Sequence, residues 1–160
     1  RRVGGCDHER LGLLALLRAN RPIFSDGEVE TAMELIDTGL GQDPGTPDPY
    51  LFLVAEDDDG GVLGYACYGT IPLTTGSFDL YWIAVRPDLQ NRGIGRRLLA
   101  AAESDMAGRG ARLVLVETSS RADYVATRAF YERSGYDVAA RIRDFYRPGD
   151  DKVVYEKRFA

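Results

Sequence analysis

The sequence predicts an α/β fold: a mixed central sheet flanked by helices on both faces. Two helical patterns come before any strand, six strand-length apolar segments follow, and helical patterns separate the third from the fourth and the fourth from the fifth. A chain of 160 residues, 44% hydrophobic and 28% charged, is long enough for one real core, so a single domain over 1–160 is expected.

Leucines crowd a first helix from Asp7 to Asn20. Ser25, with Glu28 three residues later, is a capping-box signature for a second helix, whose face carries Val29, Met33, Ile36 and Leu40. Gly41 to Pro49 reads as a loop. Tyr50 to Glu56 is a nearly unbroken apolar strand, and the turn cluster Asp57 to Gly61 leads to a second strand, Val62 to Thr70. Phe78 to Val85 follows after Pro72 to Gly76. Next come a short loop and a helix with Ile94, Leu98, Ala102 and Met106 on one face, closed by Gly108 and Gly110. Arg112 to Thr118 completes a β-α-β unit and implies parallel pairing. A further helix carrying Phe130 and Tyr131 ends at Gly135. Tyr136 to Phe145 and Val153 to Phe159 form a closing hairpin around Pro148-Gly149-Asp150.

Composition removes several function classes. No segment approaches the roughly 18 apolar residues of a membrane span, and the first residues lack a signal-peptide pattern, so a soluble, cytoplasmic protein is expected. A net charge of −5 repels nucleic-acid phosphates. Cys6 and Cys67 read as reduced structural thiols, and His8, the single histidine, supports neither a catalytic triad nor a histidine-rich metal site. Because the sequence opens on Arg1, an upstream domain stays open, as does a homodimer. Trp82 and Phe78 read as core, Met33 and Met106 as packing residues, and Asp57 to Asp59 as a solvated turn.

The most specific segment is Gln90-Asn91-Arg92-Gly93-Ile94-Gly95, between the strand ending at Val85 and the mouth of a helix. Helix N-termini expose unpaired N–H groups, and glycine lets a phosphate approach them; Arg92, Arg96 and Arg97 add positive charge. The loop lacks the endings of a Walker loop and the spacing of a dinucleotide fingerprint. From Val85 to Gly95 it resembles instead the acetyl-CoA signature of the GNAT superfamily, Q/R-x-x-G-x-G/A after a strand ending V-x-P. Ala129-Phe130-Tyr131-Glu132-Arg133-Ser134-Gly135-Tyr136 is similar to that superfamily's second motif, A-x-x-x-Y-x-x-x-G-F/Y.

The resemblance spans nearly the whole chain and implies acetyl transfer from acetyl-CoA to an amine. It implies that the family's fourth and fifth strands splay, leaving backbone groups of Ile83 and Val85 to bind pantetheine and the thioester oxygen. Gln90, Asn91, Arg92, Gly93, Ile94, Gly95 and Arg96 then hold the pyrophosphate. Tyr131 matches a general acid for the departing thiolate. Where many relatives carry a pantetheine-binding Asn, this chain has Tyr124. Two carboxylates compete as base: Glu117, which is ranked first, and Asp79, with a water relay as a third route. Asp144, Tyr146, Asp150 and Asp151 sit where the closing hairpin borders an acceptor in relatives. A non-catalytic acyl-CoA sensor, and an interaction domain that binds no cofactor, are the competing readings.

Overall fold

The computed structural model describes residues 7–20, 24–40 and 50–159, apart from the side chains of 7–9 and 39–40. Arg1, Cys6, the expected loop Gly41–Pro49 and the side chains of His8 and Leu40 lie outside this description.

The elements are α1 Asp7–Ala19, α2 Asp26–Leu40, β1 Leu51–Glu56, β2 Val62–Thr70, β3 Ser77–Val85, α3 Ile94–Gly108, β4 Leu113–Ser119, α4 Val125–Arg133, β5 Asp137–Arg147 and β6 Asp150–Arg158. Six strands form one sheet in the order β1-β2-β3-β4-β6-β5, antiparallel except for the β3–β4 pair. The expected capping box starts α2: the Glu28 carboxylate accepts the Ser25 N–H at 2.8 Å, and Ser25 Oγ accepts the Glu28 N–H at 3.3 Å. Such a cap is worth about 1 kcal/mol.

Alternation along the strands sorts side chains into two cores. Leu13, Leu16, Leu17, Val29, Met33 and Ile36 of α1 and α2 cover one face with Tyr65 and Cys67. On the other face Leu99, Ala102 and Met106 of α3 and Tyr131 of α4 meet Ala66, Tyr68 and Val116. Helices thus flank both faces. Cys67 is buried, and Met33 and Met106 are packed inside.

The functional geometry begins in β3. Cys67 pairs with Trp82 and Tyr68 with Leu80, so Tyr81 is an extra, bulged residue. The bulge turns both Tyr81 and Trp82 toward the α1–α2 face. Beyond it β3 leaves β4: only Ser77, Phe78 and Asp79 pair with Leu113, Val114 and Leu115. β4 stays paired with β6 from Leu113 to Ser119. The sheet therefore opens between its third and fourth strands, the splay expected for the family's fourth and fifth.

Three expectations need correction. The closing hairpin is tighter than predicted, with Asp150 already inside β6, because Arg147 pairs with Asp150 and Gly149, at φ +81°, makes the reversal. β4 runs one residue later than expected, Leu113–Ser119. Phe78 is core, but Trp82 is only partly buried; it stacks edge-on against Phe24 at 5.4 Å and lines a cleft.

Candidate active site

A cleft of about 700 Å³ fills the opening between β3 and β4. Its β3 wall is a row of backbone groups whose direction follows from the register. Arg86 N–H donates to Leu63 O at 2.9 Å, so Arg86 and Leu63 are a hydrogen-bonded pair, and Ala84 with Tyr65 is the next. Ile83 and Val85 are the intervening residues, so their N–H and C=O groups point away from β2 into the gap that β4 has left. Both residues line the cleft. Gln90 Nε2 donates to Val85 O at 3.3 Å and to Asn20 Oδ1 at 3.2 Å, tying the loop after β3 to the end of α1.

That loop enters α3 through two left-handed residues, Asn91 at φ 62° and Gly93 at φ 80°. Gly93 is the N-cap and no side chain caps the helix. Its first-turn N–H groups are thereby available to an anion, and the dipole adds positive potential. A Cβ on Gly95 would lie 3.6 Å from Val85 Cγ2 and 3.7 Å from Phe130, ordinary contacts. Packing therefore does not demand glycine there. Arg92, Arg96 and Arg97 are exposed around this end, and none is ion-paired among the described residues. Asn91, Arg92, Gly93, Ile94, Gly95 and Arg96 lie beside the cleft, whereas Gln90 is part of its lining.

The two faces of the opened sheet carry different chemistry. Phe78 is in register with Val114, and Val116 and Thr118 follow on that face, the one covered by α3 and α4. Tyr131 reaches the cleft from α4; it is 5% exposed, its ring packs at 5.7 Å from Tyr136, and burial raises its pKa above the usual tyrosine range. Arg128 Nη1 donates to Ser119 O at 2.7 Å and Arg121 O at 2.9 Å, fastening the end of β4 to α4.

Asp79 is in register with Leu115, so Asp79 and Glu117 share the opposite face, toward α1 and α2. Glu117 is half-exposed and ion-paired with Lys152 Nζ at 2.6 Å. Asp79 is partly buried, and its carboxylate has no hydrogen bond or ion pair among the described residues. Burial first, and the Glu117 charge second, raise its pKa above 3.8, while Lys152 opposes them.

Tyr124 lines the cleft, but its hydroxyl donates to Glu28 Oε1 at 3.2 Å, joining the starts of α2 and α4. Of the hairpin cluster, Tyr146 and Asp150 line the cleft. Asp150 is 3% exposed and accepts the Ser119 hydroxyl, with Arg147 Nε at 3.5 Å. Asp144 and Asp151 brace the hairpin instead: Asp144, at φ 52°, gives its N–H to Asp151 Oδ1 at 2.9 Å and accepts Gly149 N–H at 2.7 Å. Glu28, Thr118 and Lys152 escaped sequence reasoning as site residues. Glu28 had a sufficient role in the capping box, and Thr118 is an ordinary strand former.

Among the described residues, no group of His, Cys, Asp and Glu could hold a metal ion, and no helix is long and apolar enough to cross a membrane. Residues 48–138 match the family described as the acetyltransferase (GNAT) domain. A mycothiol acetyltransferase of Beutenbergia cavernae is 31% identical over 88% of this chain, which spans 45% of that protein's length. A crystal structure of a GNAT-family protein from Desulfovibrio desulfuricans superposes with a TM-score of 0.92 at 41% identity, covering 100% of this chain and 98% of that one. An aminoglycoside 6′-N-acetyltransferase complexed with coenzyme A has the same fold, with a TM-score of 0.77 at 18% identity over 99% and 95% of the two chains.

Proposed function

The chain belongs to the GNAT acetyltransferase family, and on that premise we propose that it transfers the acetyl group of acetyl-CoA to a primary amine of a small molecule or peptide. The observation that carries this reading is the parting of β3 and β4 beyond Asp79, with an anion-ready helix terminus beside one face and paired carboxylates on the other. Acetyl-CoA supplies the activated thioester. The α3 terminus, from Gln90 to Arg96, holds its pyrophosphate, and the Ile83 and Val85 backbone groups hold the pantetheine arm alongside β3. Val85 N–H is the donor to the thioester oxygen, where charge builds as the amine attacks.

An amine arrives as an ammonium and must lose a proton before it can attack. Sequence ranks Glu117 first for that task, but Asp79 fits it better. Glu117 is ion-paired with Lys152, whereas the Asp79 carboxylate has no partner among the described residues and its pKa is raised above the ordinary carboxylate value. We assign Asp79 as the base and Glu117 as the charge that tunes it. The lining holds four carboxylates, of Glu28, Asp79, Glu117 and Asp150, against two guanidiniums, of Arg121 and Arg147, a balance that favours a cationic acceptor. Tyr131 gives its phenolic proton to the thiolate sulfur as the C–S bond breaks; its raised pKa keeps that proton in place until then.

The test measures thiol release with acetyl-CoA across free amines, polyamines, amino acids and peptides, then repeats it with Tyr131→Phe. Turnover is expected with at least one amine class, with kcat reduced about 100- to 10,000-fold in the variant and acetyl-CoA affinity within a few-fold. Parental turnover in Tyr131→Phe would make the tyrosine structural. Tight acetyl-CoA binding with no acylation anywhere in the panel would favour a sensor instead.

A further inference from the structure

Thr118 stands out in the cleft for a reason unrelated to the family motifs. Its Oγ1 is fully buried and makes no hydrogen bond, although Thr118 lines the cleft and is only 6% exposed. A threonine in a helix can satisfy its hydroxyl from the carbonyl four residues earlier, as Thr31 does with Gly27 O at 2.9 Å and Thr38 with Glu34 O at 2.8 Å, but a strand offers no such acceptor. Thr118 has no such partner among the described residues. Its backbone is paired with Val153 of β6, the neighbouring Ser119 hydroxyl is committed to Asp150, and Arg128 is spent on the carbonyls of Ser119 and Arg121. Buried hydroxyls are rarely left unpaired, and rotation about χ1 would turn this one to a ligand in the cleft that Thr118 lines.

The position also says which part of a ligand. Thr118 is on the α3–α4 face with Val114 and Val116, the side on which α4 delivers Tyr131 and α3 presents its uncapped terminus. Across the gap are the inward-facing backbone groups of Ile83 and Val85. We propose that Thr118 is a binding residue for the acyl donor, its hydroxyl hydrogen-bonding the thioester-bearing pantetheine arm from the β4 side of the gap. β3 then holds one flank of the arm through its backbone and β4 the other through this side chain. The inference rests on the acetyl-CoA reading above.

Calorimetry of the parent, Thr118→Val and Thr118→Ser with two probes tests it. One probe is acetyl-CoA; the other is adenosine 3′,5′-bisphosphate, which keeps the nucleotide and lacks the arm. Thr118→Val preserves shape and removes the hydroxyl, so acetyl-CoA should bind about 5- to 20-fold more weakly, on the scale of one lost hydrogen bond. Affinity for the bisphosphate should not change, and Thr118→Ser should retain most of the parental acetyl-CoA affinity. Thr118→Ala, with the same selective loss expected, serves if the valine variant does not fold. Unchanged acetyl-CoA affinity in the valine variant, or equal loss with both probes, overturns the proposal. A parent that binds no acetyl-CoA overturns the functional reading itself.

Discussion

Asp79 is a carboxyl whose ionisation is controlled from named directions: burial and Glu117 raise its pKa, and Lys152 lowers it. If Asp79 is the base, kcat/KM falls on the acid side as Asp79 takes up a proton, so that limb reports its pKa. Glu117→Gln removes a raising charge and leaves the Lys152 ammonium uncompensated, and both effects move the limb to lower pH. Lys152→Met removes the opposing charge and should move it to higher pH. A limb abolished in Glu117→Gln but kept in Asp79→Asn would return the base to Glu117. The same shift has a thermodynamic sign. A carboxyl with a folded pKa above 3.8 costs stability once pH exceeds that value, and the cost vanishes below it. Asp79→Asn should therefore raise the melting temperature at pH 7, by less and less as pH falls toward 3.8. A lower melting temperature at pH 7 would mean that the carboxylate has a structural partner.

At the scale of elements, the N-terminus of α3 places helix stability and ligand binding in opposition. Gly95 sits in its first turn, where a Cβ fits in ordinary contact. Gly95→Ala should stabilise α3 by up to about 1 kcal/mol through helix propensity. The same methyl stands between a phosphate and the backbone amides, so acetyl-CoA affinity should fall while the melting temperature rises; calorimetry and thermal melts check the two signs. Unchanged affinity would move the pyrophosphate elsewhere. This end of α3 was legible in the sequence because its signals are local: a loop rich in Gly and Arg, then Ile94, Leu98, Ala102 and Met106, all four of which are buried. The Ser25 and Glu28 cap was legible for the same reason. The β3 bulge was not: in Phe78-Asp79-Leu80-Tyr81-Trp82-Ile83 aromatic and aliphatic residues suit either face, so nothing local marks Tyr81 as the extra residue. The resemblance carried the expectation of a splay, and pairing partners far along the chain fix where it falls. Lys152 beside Glu117 and the orphaned hydroxyl of Thr118 are likewise products of tertiary packing.

In the whole molecule the sheet is a partition with one opening. The α3–α4 face supplies an anion-ready helix terminus, Thr118 and Tyr131, and the α1–α2 face supplies Asp79, Glu117 and aromatic groups such as Trp82. On the proposed function, donor and acceptor approach from opposite faces and meet in the gap. The two helical layers touch the opening at separate points, Asn20 with Gln90 and Glu28 with Tyr124. A donor filling the gap would replace the cross-strand hydrogen bonds that β3 and β4 do not make to each other, so binding should stabilise the fold. At a free acetyl-CoA concentration 100 times its Kd the gain is about 2.7 kcal/mol. For a chain of this size that is a rise of roughly 5–10 °C in melting temperature. Location discriminates more sharply than magnitude. Amide exchange should slow at Ile83 and Val85, whose N–H groups face the gap, and change little at Ala84, whose N–H is directed to β2. Protection that rises uniformly along β3 would report tightening of the whole sheet. Protection at Ala84 without Ile83 and Val85 would place the donor outside the opening.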